Sequence, residues 1–248
     1  TGGEVDGGQD LTISAGSGAV SLDGVGQTTA IGALNIDSTG ILTLNDSVTA
    51  GSIALDGAAD VDLATGAITL DTSAANGVVT FATAGNVDGG QNLTINAGSG
   101  TVNLSAMGAG TAIGALDVDS TGTTTVNGNI VAGSIAMNGA TDVDLATGAI
   151  TLNTSAANGS VDLTGGAVDG GQNLTITAGS GAVSLDGVGQ NTAIGALDID
   201  TAGVLTFNDS VTAGSIALDG AADVDLATGA ITLDTSAANG VVTFATAG

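Results

Sequence analysis

Lysine, arginine, histidine, cysteine, proline, tryptophan and tyrosine are all missing from this 248-residue chain. Each absence excludes something. With no basic side chain, nothing can pair with the 25 carboxylates, and the formal net charge is −25. Such a surface repels phosphates and anionic headgroups, which sets aside nucleic acid and the membrane as partners. Without Cys there is neither a disulfide framework nor thiol chemistry. Without His, Cys, Lys or Tyr the usual catalytic bases, nucleophiles and cations are gone. No run of about 18 apolar residues offers a membrane-spanning helix. The lack of proline leaves every backbone N–H free to join a ladder. The only aromatics are Phe81, Phe207 and Phe244, so any core must rest on many small aliphatic contacts.

What remains is 43% hydrophobic and only 10% charged, enough apolar material to build a core rather than stay disordered. It is organised as an 81-residue unit written three times, over residues 5–86, 87–167 and 168–248. Each copy opens on VDGGQ[DN]LTI at Val5, Val87 or Val168, and carries TAIGAL, DVDLATGAITL and TSAANG further on. Residues 45–85 recur without change as 208–248. A period this strict implies a stacked array in which each repeat buries its apolar face on its neighbours. The opening TGGE matches TGGA at 164–167, which suggests a stretch taken from a longer array.

Short apolar–x–apolar triplets recur in copy one, among them Leu11–Ile13, Val20–Leu22, Leu34–Ile36, Leu42–Leu44, Ile53–Leu55, Val61–Leu63, Ile68–Leu70 and Val79–Phe81. Alternation with period two places both ends of a triplet on one face, and the residues between triplets are turn formers. Blocks 32–50, 51–70, 71–90 and 91–113 can be overlaid. The expected fold is therefore all-β, a right-handed parallel β-helix with about twenty residues per rung and about twelve rungs, forming one continuous segment over residues 1–248. Differences between copies such as Leu44/Val126/Phe207 and Leu55/Met137/Leu218 stay apolar, as inward positions require.

The runs GGQNLTINAGSG at 89–100, the stretch 32–55 and GAITL at 66–70 resemble the repeat region of filamentous haemagglutinin-like adhesins, the large bacterial exoproteins of two-partner secretion. That resemblance implies a β-helical shaft on or outside the cell surface, serving adhesion or aggregation. The expected role is non-enzymatic extension, with further repeats or identical shafts, end to end or side by side, as partners. The receptor stays unnamed.

Two other chemistries are open to such a chain. A surface-binding β-helix, for ice or a polysaccharide, needs a regular outward Thr row. The outward positions read instead Thr12, Asn35, Ala54 and Ser21, Thr43, Asp62, Thr80. A carboxylate-only enzyme cleaving polysaccharide could use pairs such as Asp60/Asp62, Asp142/Asp144 and Asp223/Asp225, although a site made in triplicate argues for a solvated polar face. No cofactor is expected, with weakly bound calcium as the one ligand to weigh. The overlay puts Asp37 beside Asp56 and Asp200 beside Asp219, which makes these four the calcium candidates. It isolates Asp62 between Thr43 and Thr80.

Overall fold

A computed structural model describes residues 3–81, 83–227 and 229–245. Among them the chain is all-β, with parallel strands stacked as a β-solenoid of about 11 turns and roughly 22 residues per turn. Turns are thus slightly longer and fewer than the overlay of twenty-residue blocks suggested. The reason is uneven spacing. Leu34 pairs with Ile53, nineteen residues on, whereas Ile53 pairs with Val79, twenty-six on. The short turn arises because strand Val48–Ala54 bends round a corner without a loop. Its start pairs with Leu70 on one face and its end with Val79 on the next. The long turn contains the TSAANG loop.

That loop shows why its sequence does not vary. Asn76, Asn158 and Asn239 sit at φ of 53–55°, the left-handed region that Asn tolerates better than most residues. Thr72 Oγ1 donates to the Gly77 carbonyl across the loop at 2.7 Å. A Cβ on Gly77 would lie 1.7 Å from the carbonyl oxygen of Gly51 on the turn before. Only glycine fits that approach.

Three faces alternate along the chain. The first collects Val5, Val25, Val48 and Leu70. The second collects Leu11, Leu34, Ile53 and Val79, and the third Val20, Leu42, Val61 and Val87. Each copy fills eleven such strand positions, so one repeat makes three and two-thirds turns. Successive copies therefore start on different faces. Val5 opens on the first, Val87 on the third beside Val61, and Val168 on the second beside Val143. Three copies complete eleven whole turns and return the pattern to its first face.

The inward side chains form one apolar column from Val20 to Leu218, with Phe81 and Phe207 as its largest members. Polar groups at the corners are satisfied. Buried Ser38, Ser120 and Thr201 donate to the carbonyls of Gly18, Gly100 and Gly181 one turn back, at 2.7, 2.6 and 2.6 Å. One inward position breaks the rule. Thr124 is fully buried and its Oγ1 has no hydrogen-bond partner, where the other copies carry Leu42 and Leu205. Burying an unsatisfied hydroxyl costs about 1–3 kcal/mol. Thr124→Leu should therefore stabilise the chain by roughly that amount, read as a higher denaturant midpoint; an unchanged or lower midpoint would contradict the inward placement.

Candidate functional site: the carboxylate ladders

Outward side chains of successive turns stack about 4.8 Å apart, so register decides which carboxylates meet. Asp200 is in register with Asp219, as the overlay expected. On the matching ladder of copy one, regular pairing stops at Asn35–Ala54, two residues short of Asp37 and Asp56. Asp37 pairs instead with Ser14 of the preceding turn, and Asp56 accepts a hydrogen bond from Thr80 Oγ1 at 2.8 Å. Of the four calcium candidates, Asp200 and Asp219 thus face each other along a ladder.

The placement of Asp62 between Thr43 and Thr80 is wrong. Asp62 lies between Thr43 and Asp88, because the twenty-six-residue turn carries Thr80 onto the ladder of Ala54. Copy two repeats the juxtaposition with Asp144 beside Asp169. Sequence reading missed both Asp88 and Asp169, which sit in the VDGGQ motif. The signal was there in the longer TSAANG loop, which shifts everything after it by several residues.

Two groups of three carboxylates follow: Asp60, Asp62 and Asp88, then Asp142, Asp144 and Asp169. Burial raises the pKa of Asp60 above the usual carboxylate range, and the charges of Asp88 and Asp62 add to it. Asp142 is pushed up to about 6, first by burial, then by Asp144 and Asp169. Asp169 is also close enough for a hydrogen bond that only a protonated carboxyl can make. Oδ1 of Asp60 and of Asp142 is shut away from solvent with no hydrogen-bond partner. Asp198 is raised by burial and then by Asp219 and Asp200, and Asp186 chiefly by burial. Asp234 is lowered by its hydrogen bonds from Ser236. Among the described residues, no three acidic side chains are arranged to hold a metal ion.

The VDGGQ aspartates also have a structural task. Asp88 Oδ1 accepts the backbone N–H groups of Gly110 and Thr111, one turn on, at 3.0 and 2.8 Å. Asp6 holds Thr28 and Thr29, and Asp169 holds Asn191 and Thr192, in the same way. Four residues later Asp10, Asn92 and Asn173 accept from Ala33, Ala115 and Ala196, each at 2.8 Å. A side-chain oxygen is all this second position needs, which explains why Asp and Asn interchange there. The motif ties one turn to the next rather than cradling a ligand.

Depressions along the sides are shallow and polar, such as that lined by Ser73, Asn76, Asn96, Ser99 and Asp119. Only the hollow at the C-terminal end, between Phe207, Val224, Leu226, Leu233 and Phe244, is apolar. In comparisons with known proteins, no family model, curated protein or solved structure matches this chain.

Proposed function

We propose that the chain is a length of non-enzymatic shaft from a large bacterial adhesin or surface fibre, working outside the cell to extend or mediate adhesion. One observation carries this reading: the repeat adds three and two-thirds turns to an uninterrupted core without creating a concave site. Duplicating such a unit changes length and nothing else. The rotation from copy to copy also supports it. The ladder of Thr12 runs on through Asn35, Ala54, Thr80, Asn103, Thr125, Asp144 and Asp169. No face keeps one chemistry, which suits a spacer better than a flat ice- or polysaccharide-binding surface.

The test places this chain between a bacterial outer-membrane anchor and an adhesive tip. Adding one copy of residues 1–248 should extend tip reach by about 53 Å, eleven turns at 4.8 Å, and adhesion should still depend on the tip. The chain alone binding host cells or a polysaccharide panel, or cleaving a polysaccharide, would overturn the reading.

A further inference from the structure

We propose that the two ends of this rod are mating surfaces, and that a second copy docks on them coaxially, head to tail. The inference stands whether or not the rod serves an adhesin.

The last turn presents Leu226, Val242 and Phe244 to solvent, with Val224, Ile231 and Leu233 half-buried. The first turn presents Val5, with Leu11 and Ile13 half-buried. The structure shows twice what covers such surfaces. Inside the chain Val61 meets Val87, Ile68 meets Leu93, Leu70 meets Ile95 and Val79 meets Val102. The next junction repeats this with Val143 on Val168, Ile150 on Leu174, Leu152 on Ile176 and Val161 on Val183. Residues 208–248 duplicate residues 45–85, and the inward residues of 5–22 match those of 87–104 and 168–185. The lower and upper halves of an internal junction are therefore both exposed, one at each end.

Phase is what makes the second copy fit. One or two repeats would end a third of a turn out of step. Three complete eleven turns, so an incoming chain begins on the face that the array requires. Val224 then pairs with Val5 of the next copy, Ile231 with Leu11, Leu233 with Ile13 and Val242 with Val20. Backbone bonds follow the internal precedent, in which Ile68 N–H donates to the Asn92 carbonyl and Val79 N–H to the Thr101 carbonyl. Ser99 N–H donates to Asn76 Oδ1 at 2.9 Å, and Ser180 N–H to Asn158 Oδ1 at 2.9 Å. Ser17 and Asn239 occupy those places across the new joint. Residues 1–4 and 245–248 take the same place in the repeat, so one tail steps aside. An interface using two different patches propagates rather than closes, and the product is a filament of constant width.

The same register sets Asp225 against Asp6, as Asp62 lies against Asp88 within the chain, and Asp223 against Glu4. Stacking should therefore strengthen with salt, which screens the repulsion.

Sedimentation and electron microscopy of the 248-residue chain at rising concentration, in low and high salt, test this. Rods in multiples of about 53 Å, favoured by salt, are expected. Val5 is 39% and Phe244 61% exposed, so Val5→Asp and Phe244→Asp should melt with the parent chain yet stay monomeric. Mixed one to one, they should form a dimer and stop, since each keeps the end that the other lacks. Asp225→Asn should lower the salt needed for stacking. A parent chain that stays monomeric in all conditions overturns the proposal. So does assembly that survives in Phe244→Asp alone, which would mean lateral or head-to-head contact.

Discussion

Phe81→Ala should destabilise the chain by about 3–5 kcal/mol, the range for emptying a buried aromatic site, while Phe244→Ala should cost at most about 1 kcal/mol. The two phenylalanines occupy the same place in an identical stretch of sequence. No propensity, loop or neighbour in the chain separates them. Burial does: Phe81 is fully covered by the following turns, whereas Phe244 is 61% exposed. Phe81 N–H donates to the Asn103 carbonyl of the next turn at 2.8 Å, and Phe244 has no following turn among the described residues. The comparison belongs in denaturant at low protein concentration, so that stacking does not cover Phe244. Equal losses at the two positions would show that burial by the next turn is not what stabilises each turn.

Acid should stabilise this protein over a range where acid destabilises most others. Asp60, Asp142, Asp186 and Asp198 all have folded-state pKa values above the ordinary carboxylate value. A raised folded pKa means that the native state holds more protons than the unfolded one between the two values. Stability then falls as pH rises through that window and is regained on acidification. For Asp142 the window runs from about 6 down to 3.8. Asp234 works in the opposite direction, but a single lowered group is outnumbered by four raised ones. No side chain in the chain is basic, so the usual loss of native ion pairs at low pH has no counterpart. The melting temperature should therefore be higher at pH 4.5 than at pH 7. Asp142→Asn should raise it at pH 7 and weaken its pH dependence. Millimolar calcium should raise it beyond sodium chloride of equal ionic strength if paired carboxylates such as Asp200 and Asp219 share the ion, and equally if the ions form only a diffuse cloud. A melting temperature that drops on acidification would contradict the repulsion account.

Much of the architecture was legible because the apolar triplets are local. Alternation marks Leu42–Leu44 or Val61–Leu63 as strand whatever lies next to them, and both are buried at each end. Eight of the eleven strand positions in copy one show this signature. The other three, Val5, Val25 and Val48, do not. Val5 and Val25 form only isolated bridges, and Val48 belongs to a strand that turns a corner and serves two faces. Without them the turn length comes out too short and too even. The carboxylate contacts were less legible for the same reason. Asp200 and Asp219 belong to strands joined by a short turn of nineteen residues, close to the assumed period. Asp62 and Asp88 straddle the longest one, so an even overlay puts a threonine where the second carboxylate stands.

The rotation of each repeat by a third of a turn underlies the mixed faces, the carboxylate pairs and the matched ends alike. Electron cryo-microscopy of rods made from several tandem copies of this chain measures it directly. Eleven strand positions per repeat predict an axial step of about 18 Å coupled to a rotation of about 120°, with full identity restored only after about 53 Å. A step of about 19 Å with no rotation, as four whole turns per repeat would give, would contradict it.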